Sequence, residues 1–375
     1  MVLRRLMYAA LILAAQSTGV STDKVDLKSP EVQTLRAEGP AGLEKFHQTH
    51  SEALARRDRH AREALDKICA QHDCYASKLY WYTDLEAAKA RARAEHKPIL
   101  SLHLLGRLDE ELSCANSRFF RKILYADGRI SALLRKQYVL HWKTVRPVPI
   151  VTIDFGDGRV LKRTITGNSI HYLLDSEGKP IDAIPGLVAP NAFLASLSAA
   201  EALAQELAPL PPTDRKSVLK QWHQGRIEQA LVAWESDIRK LDPQAALPKT
   251  DAFARAAQLE KASEGRWPAI GALHRPEAVL APEVSMPIEA SAWKAGLIAV
   301  TKAIQESPLL RQLRFSLAED SVRNEYQLHQ QIHDWLSNQQ YTDVEALNAR
   351  VYTQLFLTAL DDPWYWLRLR SARRY

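Results

Sequence analysis

Cysteine is scarce in this sequence: Cys69, Cys74 and Cys114 are the three in 375 residues. That is too few for a disulfide framework to replace a hydrophobic core, so apolar burial has to carry the fold. Long apolar runs are missing as well. Beyond the N-terminus nothing approaches the ~18 residues that cross a bilayer, so no transmembrane segment is expected in the mature chain. Neither sign of charge dominates: 50 Lys and Arg face 44 Asp and Glu, a net +6, and the two signs are interspersed. Such a mixed surface is a solvated one, and no nucleic-acid partner is expected. The sequence also lacks a P-loop, a dinucleotide glycine fingerprint and a serine-hydrolase elbow, which removes three common kinds of enzyme. No period of 20–50 residues points to a solenoid.

What is present is ordinary globular material. At 46% apolar and 25% charged residues, the chain is long enough for two domains with proper cores. Arg4 and Arg5 precede an apolar run of ten, Leu6 to Ala15, and Ala15 and Ser17 meet the small-x-small rule for cleavage. Residues 1–17 therefore read as a secretory signal peptide, and the protein as exported, periplasmic or secreted. Residues 18–74 read as a tether followed by a charged amphipathic helix from Leu43 to Lys67. In an oxidising compartment Cys69 and Cys74 are close enough to close a small disulfide loop and leave Cys114 free, although three pairings are possible.

The chain is organised around Lys97 to Trp142. Ile99 to Leu105 reads as a buried strand, set off by Pro98 and ended by Gly106. After a polar loop with Asp109-Glu110-Glu111 comes Cys114, then a helix through Phe119, Phe120, Ile123 and Leu124. A second helix carries Ile130, Leu133 and Leu134, and Tyr138 to Trp142 returns as a strand. A cysteine at the first turn of a helix is where the dipole and the unpaired N–H groups favour a thiolate. Val148–Phe155 and Arg159–Ile165, around Gly156-Asp157-Gly158, give a hairpin signal. Ile170–Leu174 and Pro180–Ile184, around Asp175-Ser176-Glu177-Gly178, give a second, followed by a helix from Asn191 to Leu207.

This pattern resembles the thioredoxin-like fold over Trp81 to Leu207, about a third of the chain. The strand, the Lys97-Pro98 pair, Cys114 at the first CxxC cysteine and the Tyr138-Val139 strand carry the resemblance. So does the ending, from Ile170 through Pro185-Gly186 to Leu207. Two positions depart from the family: Ser117 replaces the second cysteine, giving Cys114-Ala115-Asn116-Ser117, and Ser169 stands where a cis-proline is usual. A trans bond is expected at Asn168–Ser169. The resemblance implies a degenerate CxxS member.

Beyond Pro209, Pro211 and Pro212 the pattern is helical, with seven of the nine tryptophans, most of them expected as anchors between helices. The fold class is α/β: a thioredoxin-like domain over 75–208 with a β-hairpin insertion, then a mainly α-helical domain over 213–375.

Two functions follow. In one, Cys114 is the nucleophile of a thiol–disulfide oxidoreductase or isomerase, Ser117 supports its thiolate, and the partners are protein thiols. In the other, Cys114 is a packing residue, and the domain binds or assembles with a protein partner. His103, His141 and His171 fall on strands, and any one could act beside Cys114. Glu325, His329 and His333, spaced i, i+4, i+8, share a helix face that could hold a metal with help from another helix. Without HExxH or ExxH the face reads as polar surface, and no metal or cofactor is assigned. The C-terminal Asp361-Asp362-Pro363-Trp364-Tyr365-Trp366-Leu367 reads as an aromatic cluster docking on the domain, and Arg368, Arg370, Arg373 and Arg374 as a frayed basic tail.

Overall fold

The computed structural model describes residues 29–164, 167–247, 251–285, 308–338, 341 and 343–358. The signal-peptide and C-terminal tail expectations, and part of the helical pattern expected over 213–375, lie outside these residues. No helix among the described residues is long and apolar enough to cross a membrane.

The centre is β1 (Ile99–Leu105), every residue of which is buried. It pairs in parallel with β2 (Val139–Arg146), Ile99 facing Val139. On its other side it pairs antiparallel with β5 (Ser169–Leu174), Ile99 facing Leu174. β6 (Pro180–Pro185) closes the sheet, giving the order β2-β1-β5-β6. The β5–β6 turn is set locally: Asp175 accepts the N–H groups of Glu177 and Lys179, and Gly178 takes a φ of 82°. The insertion hairpin, β3 (Ile150–Asp154) and β4 (Val160–Thr164), forms its own two-stranded sheet. β3 starts two residues later than the sequence suggests, because Pro149 cannot donate to a ladder.

Ahead of the sheet lie five short helices: α1 (Ser29–Ala37), α2 (Pro40–Thr49), α3 (Ser51–Ala55), α4 (Arg59–Cys69) and α5 (Cys74–Ser77). The expected tether is thus helical from Ser29 on. Arg36 fixes α1 by donating to the carbonyls of Ile68 and Trp81. The single helix expected over Leu43–Lys67 is broken into three. Arg57 turns left-handed at φ 62°, and Asp58 caps a fresh helix by accepting from the Ala61 N–H. Next comes α6 (Leu85–Glu95), capped by Asp84. Between β1 and β2 lie α7 (Ala115–Phe119), a π-turn over Phe120–Leu124, and α8 (Gly128–Gln137), capped by Asp127.

The remaining helices are α9 (Pro190–Leu207), α10 (Pro212–Leu241), α11 (Ala252–Ser263), α12 (Trp267–Leu273), α13 (Pro308–Arg323), α14 (Gln330–Asn338) and α15 (Val344–Arg350). A π-turn over Asn324–His329 joins α13 to α14, and another over Val351–Leu355 follows α15. One apolar core runs from the sheet through α9 into α13, α14 and α15, taking in Phe120, Leu173, Phe193, Leu317, Ile332 and Tyr352. A second core joins α10, α11 and α12, where Trp234 stacks on Tyr326 at 5.3 Å. Trp234, Trp267 and Trp335 are buried as anchors.

Where α12 crosses α13, a Cβ on Gly271 would lie 2.7 Å from the Glu319 Cα. Gly271→Ala should therefore push the two backbones apart and cost about 1–3 kcal/mol, read as a lower denaturation midpoint with unchanged slope.

Candidate functional site

Cys114 ends the loop after β1 and caps α7 with its own side chain. Its Sγ accepts the Ser117 N–H at 3.4 Å, and the Ser117 hydroxyl donates to the Cys114 carbonyl at 3.1 Å. The structure thus brings the two sequence-predicted residues together. It also closes them off, since both are fully buried. Burial pushes the Cys114 thiol up, and this outweighs the bonds from Ser117 and the field of Arg118, which favour the thiolate. The expectation that the helix start would favour a thiolate is corrected here: desolvation wins over the field of α7, an α-helix only five residues long.

Two segments, the loop Gly167–Ser169 and the end of β4, cover the cysteine helix. Gly167 lies so close that a Cβ there would meet the Asn116 Oδ1 at 2.8 Å. Asn116 itself donates to the Ser169 hydroxyl at 3.0 Å. From β4, Thr164 accepts from Arg118 at 2.7 Å, and Arg118 also holds the Ser113 carbonyl. The described residues contain no cis peptide, so Asn168–Ser169 is trans. The carbonyl of Asn168 accepts from the Tyr352 hydroxyl at 3.3 Å, and its amide donates to Thr358 at 3.1 Å. The C-terminal helical region therefore rests on this loop.

Cys69 and Cys74 are disulfide-bonded and Cys114 is free. The bridged loop docks on the cysteine helix through Asp73, which pairs with the buried Arg121 at 3.2 Å. Burial pushes the Asp73 carboxyl up, but Arg121, Lys122 and His72 together outweigh it and hold it below its ordinary value. Arg121 in turn donates to the Ser113 hydroxyl, beside Cys114.

None of the strand histidines is suited to hold a thiolate. Burial lowers His103, His141 and His171 to about 3 each, so they are neutral and supply no positive charge. Their contacts lie elsewhere: His141 meets Ser101 at 2.7 Å, His171 meets the Tyr125 hydroxyl at 2.6 Å, and His103 packs edge-on against Tyr172.

A second constellation joins the sheet to the helices. Asp182 on β6, His223 on α10, and His329 and His333 beside and within α14 are each at most 2% exposed. His329 bridges two acids, with Nε2 3.2 Å from Asp182 Oδ1 and Nδ1 3.1 Å from Glu325 Oε2. Arg226 donates to Glu325 at 3.2 Å. Burial pushes His329 down, but Asp182 and Glu325 outweigh it and raise it to about 10. Burial lowers His223 to about 4 and drives His333 well below its ordinary value, with His329 and His223 adding to the latter. The Nδ1 atoms of His223 and His333 face each other at 2.9 Å. His333 Nδ1 is 3.6 Å from Asp182 Oδ1, and its Nε2 is buried without a partner.

Sequence spacing found Glu325, His329 and His333 but read them as polar surface. It missed Asp182 and His223. The available signal was an acid inside Pro180–Pro185, a strand otherwise made of apolar residues.

No family model matches this chain, and neither a curated protein nor a solved structure matches it.

Asp73→Asn leaves Arg121 buried without its anionic partner, which should cost about 3 kcal/mol at neutral pH. A depressed carboxyl contributes stability above its unfolded value, near 3.9, that is lost as pH falls through the folded value. The gap in melting temperature between wild type and Asp73→Asn should therefore narrow below about pH 4.

Proposed function

We propose that the chain is an exported, thioredoxin-like scaffold in which Cys114 is a packing residue, and that it works by binding a protein partner. The thioredoxin-like reading is supported by the order β2-β1-β5-β6, with β1 and β2 parallel and the β1–β5 and β5–β6 pairs antiparallel. A strand–helix–strand half followed by an antiparallel hairpin half generates that order, and Cys114 sits where the first half passes from strand to helix. Export is supported by the closed Cys69–Cys74 bridge, since such bridges persist in oxidising compartments, together with the N-terminal apolar run.

The observation that carries the non-catalytic reading is the burial of Cys114, which has 0% exposure, with the loop at Gly167 to Ser169 packed on Asn116 two residues further on. In the family it resembles, this loop is the platform for a substrate strand. Here Tyr352 and Thr358 of the same chain already take its hydrogen bonds. A thiol out of reach of solvent, and raised by burial, is a poor nucleophile for exchange. The insertion hairpin offers contact surface instead: Ile153 and Phe155 are 45% and 53% exposed on one face with Leu161 and Val151.

One feature favours the oxidoreductase reading: the Ser117 N–H points at the sulfur as it would at a thiolate. Alkylation separates the two. Under native conditions Cys114 should react at least about a hundredfold more slowly than in denaturant, because it reacts only through local opening. Cys114→Ala should remain folded and lose about 1–2 kcal/mol. Native alkylation as fast as that of an exposed thiol, or thiol–disulfide exchange abolished by Cys114→Ala, would overturn the scaffold reading.

A further inference from the structure

The His223–His333 contact fixes the two tautomers against each other. With Nδ1 atoms 2.9 Å apart, one neutral imidazole donates from Nδ1 and the other accepts there. Both rings are buried, His333 completely. His333 has no bond on its far side, since Nε2 is without a partner. A carboxylate faces the same gap, with Asp182 Oδ1 3.6 Å from His333 Nδ1.

We infer that Asp182, His223 and His333 form a buried three-donor binding site for a divalent first-row metal ion, with zinc as the best-fitting occupant and a water molecule enclosed with it as the fourth ligand. One ligand atom from each of the three lies within 4.8 Å of the other two. Ligands bonded at ~2.0–2.1 Å in a tetrahedron stand about 3.3 Å apart. The separations of 2.9 and 3.6 Å fall on either side of that edge, and the third pair, within 4.8 Å, would close toward it as the side chains turn to the ion. Two imidazoles and a carboxylate suit zinc, whose filled d shell imposes no geometry of its own.

The surroundings have the form of an outer ligand shell. Ligating carboxylates are held by hydrogen bonds that fix their orientation. Asp182 is held by His329, His329 by Glu325, and Glu325 by Arg226. The ligands come from β6, α10 and α14, so a bound ion would tie the sheet to two helices. With all three donors at 2% exposure or less, the ion would enter during folding, and its role would be structural. This inference does not depend on what Cys114 does.

The test uses the full chain free of any histidine tag, refolded from chelator-treated denaturant with and without zinc. The expected result is about one zinc per chain by mass spectrometry of the metal after dialysis, and a melting temperature higher by about 5 °C or more. Asp182→Asn and His223→Gln should each lose the metal and the shift, while Phe253→Ala, at an exposed site, should keep both. Cobalt refolded into the wild-type chain should give the intense visible bands of a tetrahedral nitrogen–oxygen site, a readout that stands if the variants do not fold. Less than about a tenth of an equivalent of metal with no thermal shift would overturn the inference. So would an octahedral cobalt spectrum, or full metal retention in both ligand variants.

Discussion

Asp182 is the constraint to which the two halves of the molecule answer. It sits on a strand whose every residue is buried, where an isolated carboxylate costs several kcal/mol. The helices meet that cost with His329, itself held by Glu325 and Arg226. The same stretch of helix supplies Asn324, which donates to the carbonyls of Pro185 and Leu187, and Ser321, which accepts the Ala189 N–H at 2.7 Å. A buried ionic network adds little net stability, but separating one partner from it costs several kcal/mol, because the other charge is left unpaired. One register of α13 and α14 against β6 satisfies all these groups, and a slip would strand several at once.

Cys114 shows the opposite outcome for a polar group at an interface. The sequence puts a thiol at a helix start, where the local field favours ionisation. Tertiary structure then removes the water. A dipole contribution of roughly 0.3–1 kcal/mol is smaller than the desolvation of a sulfur with no exposed surface. Local context proposed a nucleophile, and the loop at 167–169, with Tyr352 behind it, made it part of the core.

The difference between what could and could not be read follows the same division. β1, β2, the two hairpins and the α7–α8 sequence were legible because alternation, proline and glycine act within a few residues. The breaks between α2, α3 and α4 were less so, since Arg57 has no intrinsic preference for a left-handed turn. Glu325, His329 and His333 were visible as a face of one helix. The burial of His329 and His333 was not, because it depends on Asp182 and His223, over a hundred residues distant in sequence from His333. Spacing reveals which residues share a helix face, but it does not say what lies opposite.

The π-turn at Asn324–His329 has its own implication. Such a turn amounts to one extra residue in an otherwise α-helical ladder, which advances everything after it by about 100° around the axis. His333 and Trp335 point where they do because of that extra residue. Taking one residue out of this turn would keep the composition of the helix but rotate a different side of α14 toward the sheet.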